Sequence, residues 1–237
     1  MQIAVLSDLH IGKKNRLDRF CRADEAEDGL IRMLEKLERA VDRVVLLGDV
    51  FETLRGGAPG TLASELRGAM EAYPRLTKRI VEDPRYRYVF GNHDVVAKKV
   101  LGAPEFLVEE DHGTKIAFFH GHQMDRLARG RAPFSRLGVW MGGVLERAGL
   151  PVTHHVDQHK GAPTPDAHKK DLAVYVQGAT QIAEQMGADV VVNGHTHRPR
   201  KTSMGGQLYL NSGTWLAGRR EVVLLDTGAQ TYELLNE

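Results

Sequence analysis

The chain has 237 residues, of which 42% are hydrophobic, so it can bury a substantial core, most simply as one large domain over 1–237. Its 32 Lys and Arg nearly balance its 31 Asp and Glu, which means that no overall basic field requires nucleic acid as a partner, although it is not excluded. Cys21 is the only cysteine, which excludes an intrachain disulfide and favours a reducing compartment.

Strand-like and helix-like segments alternate in the first half of the chain. The N-terminal MQIAVLSDLH enters a strand at once, without a signal peptide, and no apolar stretch is long enough to span a bilayer, so we expect a soluble cytoplasmic protein. Apolar residues at helical spacing follow in 26–42, and RVVLLGDVFE predicts a second strand, which together indicate a βαβ unit. The segment 62–81 predicts a helix interrupted at Pro74, and RYRYVFGNHD predicts a third strand.

The second half has the same layout without repeating the sequence. TKIAFFHGH predicts a strand, LAVYVQGATQIAEQMGAD a helix and VVVNGHTHRP another strand. The closing QLYLNSGTW and EVVLLDT predict strands of a second sheet. The segment 126–172 contains many Arg, Gly and Pro residues, and we interpret it as an inserted helical cap with a loop.

Polar side chains follow five of these predicted strands. They are Asp8 and His10, then Asp49, then Asn92, His93 and Asp94, then His120 and His122, and finally His195 and His197. Each short motif alone is also compatible with an ordinary turn, because Asp, Asn and Gly are common in turns. Five separate strand ends that all carry such residues indicate one shared site at the carboxyl ends of the strands.

The side chains at these strand ends are typical ligands of divalent metal ions. Asp, Asn and His without Cys favour a transition-metal centre over a thiolate zinc site. The seven candidate ligands are Asp8, His10, Asp49, Asn92, His120, His195 and His197. Seven ligands suit two ions better than one if a carboxylate bridges them, and Asp49 is the candidate bridge. Two such ions can polarise a phosphoryl group and activate water, which predicts metal-assisted hydrolysis of a phosphoester.

In this order, the motifs DLH, GD, GNHD, HGH and GHTH resemble the five motifs of the calcineurin-like metallophosphoesterase superfamily. The resemblance implies an α/β fold, a four-layer αββα sandwich of two mixed β-sheets flanked by helices. It implies these ligand sets: Asp8, His10 and His197 for one ion, Asn92, His120 and His195 for the other, and Asp49 as the bridge. The family favours Mn²⁺, with Fe and Zn as alternatives.

The histidine that follows the ligand Asn has a separate role in that family, where it stabilises the transition state or protonates the leaving group. That catalytic position is His93 in this chain. A carboxylate can orient its imidazole, and both Glu52 and Asp94 are candidates that the sequence does not separate. We expect His122 to contact substrate or to support a ligand.

The chain length, GDVFE, GHTHRP and the long segment after HGH resemble one branch of the superfamily, the UDP-2,3-diacylglucosamine pyrophosphohydrolases, which are peripheral enzymes of lipid A synthesis. That branch commonly has Arg at the position of His93. The resemblance implies a phosphorylated small molecule or lipid nucleotide as substrate, and a location at the cytoplasmic side of the inner membrane. The alternatives are a general nucleotide or nucleic-acid phosphodiesterase or, in another class, an inactive binding scaffold; the complete set of motifs favours an enzyme.

Basic residues near the predicted cap are candidate substrate contacts. Arg126, Arg129 and Arg131 suit phosphate groups, although a solvated surface explains them slightly better, and Arg198 beyond GHTH is a further candidate. Apolar residues at helical spacing over 134–144 suit an acyl pocket, a peripheral membrane contact or simple packing onto the core.

Overall fold

The computed structural model describes residues 1–22, 26–55, 57, 60–125 and 165–236, and the side chains in these ranges except those of residues 22 and 165–172. Within these ranges ten strands form two five-stranded sheets. The strands are β1 (Gln2–Leu6), β2 (Arg43–Leu47), β3 (Tyr86–Val89), β4 (Phe106–Asp111), β5 (Thr114–Phe119), β6 (Val190–Asn193), β7 (Arg200–Met204), β8 (Gln207–Asn211), β9 (Glu221–Asp226) and β10 (Thr231–Asn236).

Both sheets mix parallel and antiparallel pairs. The first has the order β10-β9-β1-β2-β3, and the second has the order β4-β5-β6-β8-β7. The pairs β1·β2, β2·β3, β5·β6 and β6·β8 are parallel, and the remaining four pairs are antiparallel. The parallel strands β5, β6 and β8 lie at the centre of the second sheet, whereas β1, β2 and β3 form one side of the first sheet. In each sheet the carboxyl ends of the parallel strands share one edge.

The helices cover the outer faces of the sheets. They are α1 (Ala26–Ala40), α2 (Leu62–Ala72), α3 (Pro74–Thr77), α4 (Ala97–Val100) and α5 (Pro165–Met186), with a π-helical turn at Lys78–Glu82 and 3₁₀ turns at Phe20–Arg22 and His122–Met124. The predicted interruption at Pro74 is confirmed, because α2 ends at Ala72 and Pro74 begins the next helix. In the described part of the chain no helix combines the length and the apolar character needed to cross a membrane.

Alternating side chains of the central strands divide the core into three layers. Ile3 and Val5 of β1 pack between the two sheets, while Ala4 and Leu6 face α1 and α2. On the far side, Val191 of β6 packs against α5 with other buried apolar residues. Because the sheets are covered on both faces, strands such as β1, β2 and β6 are almost continuously apolar. The four-layer αββα sandwich is confirmed.

One strand lies in a different sheet from the predicted one. EVVLLDT forms β9, which pairs with β1 in the first sheet, with Ile3 opposite Leu225, whereas QLYLNSGTW forms β8 of the second sheet as expected. A continuous apolar run such as VVLL identifies a buried strand but not its neighbour, which explains this error. The sequence also gave no signal for β4, β7 and β10, which lie at sheet edges and expose many polar side chains.

The predicted cap lies largely outside the described residues. Nothing is described between residues 126 and 164, and residues 165–172 form the first part of α5. The remainder of α5 packs on the second sheet through Val176, Ala179 and Ala183.

Candidate active site

The loops after β1 and β2 run side by side at the edge of the first sheet. The backbone N–H of Asp8 donates to Gly48 O at 3.1 Å, and that of His10 donates to Asp49 O at 2.9 Å. A parallel bridge between Ile11 and Phe51 extends the pairing beyond the strands. The DLH and GD motifs are therefore held together by backbone hydrogen bonds.

The GHTH loop is held against both sheets. Gly194 donates its N–H to His120 O at 2.9 Å, and its carbonyl accepts from Asn211 Nδ2 at 2.7 Å. The backbone N–H of His195 donates to Asp8 Oδ2 at 3.0 Å. This buried network connects the strand ends of the second sheet to the Asp8 loop of the first.

Five of the seven candidate ligands adopt a left-handed backbone conformation. Their φ angles lie between 48° and 66°, and the residues are Asp8, His10, Asp49, His195 and His197. Each non-glycine residue in such a conformation costs of order 1–3 kcal/mol and persists only where its surroundings hold it. Strain of this kind concentrates at functional sites, and here it turns the side chains of the strand ends toward one region.

Four buried atoms of the candidate ligands lack a hydrogen bond of good geometry within the described residues, although ionisable side chains lie near two of them. They are Asp8 Oδ1, His10 Nε2, Asn92 Oδ1 and His120 Nε2. Leaving a buried polar atom without a partner costs about 1–3 kcal/mol, and more for a charged group. All four are lone-pair donors, so a divalent cation fits the set better than a further hydrogen-bond donor.

The other candidate ligands surround these atoms. His197 Nε2 lies 3.1 Å from Asp8 Oδ1, and His120 Nε2 lies 3.2 Å from Asp49 Oδ2. Three groups of side chains bring one ligand atom each within 4.8 Å of one another: Asp8, His10 and His197; His10, Asp49 and His93; and Asp49, His120 and His195. Asp49 belongs to two of these groups.

Hydrogen bonds select the nitrogen that each imidazole presents to the site. His120 Nδ1 lies 2.9 Å from Leu47 O, and His10 Nδ1 lies 3.3 Å from Glu52 Oε2, so both leave Nε2 facing the site. Because these oxygens hold a proton on Nδ1, Nε2 is the nitrogen that can offer a lone pair to a cation once it carries no proton of its own. These tautomers suit metal binding.

Glu52, and not Asp94, is the carboxylate beside His93. Its two oxygens lie 3.0 and 2.9 Å from His93 Nδ1. Asp94 instead accepts from the backbone N–H groups of Val50 at 2.7 Å and Gly91 at 2.6 Å, and from the Tyr88 hydroxyl. The structure thus separates two candidates that the sequence left equal.

Charges buried in the site shift its pKa values strongly. Burial alone would raise the pKa of Asp8 and Asp49, but neighbouring histidines, chiefly His197 and His120, hold both pKa values well below their usual range. Burial opposes protonation of His120, yet Asp49 and Asp8 raise its pKa to about 10. The two buried carboxylates therefore stabilise positive charge nearby, and without a metal ion that charge is the proton on a histidine.

Of the remaining predicted contacts, the structure describes His122 and Arg198. The ring of His122 lies 5.6 Å from that of His120, and burial lowers its pKa to about 3. Arg198 is half-buried directly after His197. Arg126, Arg129 and Arg131 lie outside the described residues.

Sequence reasoning missed one acidic residue of the site. Asp125 Oδ1 and Oδ2 both lie 3.1 Å from His195 Nε2, and the Tyr175 hydroxyl of α5 donates to Asp125 Oδ1. The only sequence signal was an acidic residue three positions after the HGH motif.

Residues 1–199 match the family described as calcineurin-like phosphoesterase. The chain belongs to this family. As a member of the calcineurin-like phosphoesterases, the protein is a phosphoester hydrolase, and the family depends on two metal ions. Its clustered carboxylate and imidazole groups can hold a metal ion.

The chain also resembles two curated relatives over most of its length. A protein of Aeromonas hydrophila named UDP-2,3-diacylglucosamine hydrolase is 26% identical over 216 residues, which are 84% of this chain and 83% of the relative. A protein of Blochmanniella pennsylvanica with the same name is 24% identical over 218 residues, which are 84% of this chain and 80% of the relative.

Solved structures with a similar chain path include an archaeal phosphodiesterase, 16% identical, with full coverage of both chains and a TM-score of 0.47. Vps29 of Entamoeba histolytica, solved with Zn²⁺, is 15% identical, with coverage of 100% of this chain and 99% of the other and a TM-score of 0.47. These likenesses are distant, and the fold assignment rests on the two mixed sheets described above.

Proposed function

We propose that the protein hydrolyses a phosphodiester or pyrophosphate bond at a site that binds two divalent cations. The observation that carries the proposal is the set of buried, unpartnered ligand atoms on Asp8, His10, Asn92 and His120 among the described residues. Cation binding would compensate the free-energy cost of burying these atoms.

Each ion has a distinct set of side chains in this proposal. Asp8, His10 and His197 hold one ion, Asn92, His120 and His195 hold the other, and Asp49 contacts both. Asp49 is supported as the bridge because it shares one group of ligand atoms with His10 and another with His120 and His195. When bound, the ions neutralise phosphoryl oxygens and activate water as the nucleophile. Mn²⁺ is the first ion to test, with Fe and Zn as alternatives.

His93 donates a proton to the leaving group in the proposed reaction. Burial lowers the pKa of His93, but Glu52 and Asp49 together raise it to about 9. The imidazole is therefore protonated at neutral pH. Glu52 binds Nδ1, which leaves Nε2–H as the proton available to substrate. A proton donor is most useful when the leaving group is an alcohol, because an alkoxide is unstable.

The substrate we propose first is UDP-2,3-diacylglucosamine, because both curated relatives carry that name and align over more than four fifths of this chain. A general phosphodiesterase is the second candidate, and the His93 and Glu52 pair favours it. A pyrophosphate bond releases a phosphate that needs little help from an acid, whereas a nucleic-acid diester releases an alcohol.

A substrate panel tests both candidates. Protein stripped with EDTA and resupplied with Mn²⁺ is assayed on UDP-2,3-diacylglucosamine, bis(p-nitrophenyl) phosphate, single-stranded DNA and p-nitrophenyl phosphate. We expect Mn²⁺-dependent turnover with the lipid nucleotide far ahead of the simple diester. Equal or faster cleavage of DNA and simple diesters would replace the first candidate with the second.

Asp49→Asn is the matched test of the site itself. It should reduce turnover by more than about 100-fold, since even removal of a group that only supports a ligand costs about 10–100-fold. Asp28→Asn is the control, because Asp28 is an exposed carboxylate paired with Arg75. The proposal fails if no substrate is turned over in a Mn²⁺-dependent way, or if Asp49→Asn matches the control.

A further inference from the structure

Asp125 makes a two-oxygen contact with the imidazole of His195. Both carboxylate oxygens lie 3.1 Å from His195 Nε2, and both side chains are largely buried, with 23% of Asp125 and 15% of His195 exposed. None of the five motifs contains Asp125. The contact joins residues 70 positions apart, so it depends on the tertiary fold.

The contact determines which nitrogen of His195 faces the site. A carboxylate accepts a hydrogen bond, so Nε2 carries the proton and Nδ1 keeps its lone pair. Nδ1 is then the nitrogen left to complete the group that His195 forms with Asp49 and His120. His195 presents the opposite nitrogen from His10 and His120, whose Nδ1 atoms are occupied.

Asp125 is itself held by two neighbours. Its backbone N–H donates to His122 O at the end of the 3₁₀ turn, and the Tyr175 hydroxyl donates to its carboxylate. Tyr175 lies in α5 and belongs to the apolar cluster on the outer face of the second sheet. The carboxylate is therefore connected to a packed helix, and its position does not depend on its own loop alone.

We infer that Asp125 is a positioning residue for His195, which it holds in the Nε2–H tautomer so that Nδ1 can bind the second ion. The inference rests on the proposed function, since it requires a cation between Asp49, His120 and His195. Carboxylates that orient a ligand histidine fix its tautomer and ring orientation and raise its basicity. Asp125 acts on one of the two ion sites, because His10 and His197 have other partners.

Mn²⁺ binding alone tests this inference without any substrate. Titration of metal-free protein, with free Mn²⁺ measured by electron paramagnetic resonance, should show two bound ions for the unmodified chain. Asp125→Ala should weaken one of them by about 10–100-fold and leave the other unchanged. Asp125→Glu should recover part of the loss, and Tyr175→Phe should lose only a few-fold, because the carboxylate remains.

Asp125→Asn, which preserves the side-chain volume, replaces Asp125→Ala if that variant fails to fold by circular dichroism. Asp28→Asn is again the control and should bind both ions normally. The inference is overturned if the Asp125 variants bind both ions as the unmodified chain does, or if both sites weaken equally. If the unmodified chain itself binds no Mn²⁺, the result contradicts both the proposed function and this inference. That result is distinct from one in which the unmodified chain and the Asp125 variants all bind two ions.

Discussion

Both carboxylate oxygens of Glu52 contact Nδ1 of His93, at 3.0 and 2.9 Å, in a pair that is almost entirely buried. Burial disfavours the carboxylate of Glu52 and the imidazolium of His93, but the attraction between these two charges outweighs that effect. The pKa of Glu52 lies well below its usual range, and the pKa of His93 rises to about 9. Glu52 also lies 3.3 Å from His10 Nδ1, so one carboxylate orients a proton donor and a candidate ligand together.

Glu52→Gln should therefore slow the reaction most where the leaving group needs a proton. We expect kcat to fall about 100-fold for single-stranded DNA, within the range for loss of general acid catalysis, but much less for bis(p-nitrophenyl) phosphate. p-Nitrophenolate is a stable anion and leaves without protonation. Steady-state kinetics on the two substrates, with Mn²⁺ saturating, measure the difference.

Glu110→Gln is the control for that comparison, because Glu110 is exposed on an edge strand. An equal loss of kcat on both substrates would indicate that Glu52 acts by supporting His10 in the metal site. It would contradict the role of Glu52 in proton donation by His93.

The metal-free protein should lose stability as the pH rises from 6.5 to about 9. His93 and His120 have folded-state pKa values of about 9 and about 10, against an ordinary value of 6.5. The folded state therefore keeps protons that the unfolded state releases in this window, and the stability they contribute, complete below pH 6.5, is lost as the pH rises. Thermal midpoints in EDTA between pH 6.5 and 9 measure the slope.

Two comparisons test the cause of that slope. His93→Gln should flatten it, whereas Gly228→Ala, which removes no ionisable group, should leave it unchanged. Saturating Mn²⁺ should also flatten it, since cations would take the place of the protons. A slope that is the same in His93→Gln as in the unmodified chain contradicts the assignment to this site.

Gly194→Ala should disrupt the site by close contact. A Cβ at this position would lie 2.3 Å from Ser7 Oγ and 2.6 Å from Asp8 Oδ2, both of which are buried. Overpacking of this kind costs about 1–3 kcal/mol, and each kcal/mol lowers the thermal midpoint by about 2–4 °C in a domain of this size. We expect weaker Mn²⁺ binding as well, because Asp8 must move.

Gly228→Ala is the matched control, with its nearest neighbour at an ordinary 3.4 Å from the added Cβ. If Gly194→Ala is less stable but binds Mn²⁺ with normal affinity, the result contradicts the assignment of Asp8 as a metal ligand.

Asp94→Ala should lower the free energy of unfolding, whereas Glu52→Gln should mainly lower kcat. Asp94 accepts from the backbone N–H groups of Val50 and Gly91, which join the loops after β2 and β3. At least three donors, including the Tyr88 hydroxyl, would lose their acceptor. At about 1–3 kcal/mol each, the loss should reach at least about 3 kcal/mol in total. Urea unfolding monitored by circular dichroism measures this loss. A midpoint as high as that of Asp28→Ala, an exposed carboxylate, would show that water replaces the lost acceptor.

Much of the fold was predictable because its central elements carry strong local patterns. β1, α1 and β2, and then β5, α5 and β6, have apolar periodicities that identify each element without its neighbours. The position of β9 beside β1 was not predictable, since a continuous apolar run fits the centre of either sheet equally well. The edge strands β7 and β10 were missed because their solvated faces weaken the apolar pattern.

The sequence by itself determined which residue types stand at the strand ends and in what order, because those motifs are local. Only the tertiary structure decided that Glu52 contacts His93 while Asp94 joins two backbone loops, and that Asp125 contacts His195. The physical reason is the same in each case. A carboxylate's partner depends on which groups the packing of two sheets brings within about 3 Å, and residues 40 to 70 positions apart carry no local signal of that distance.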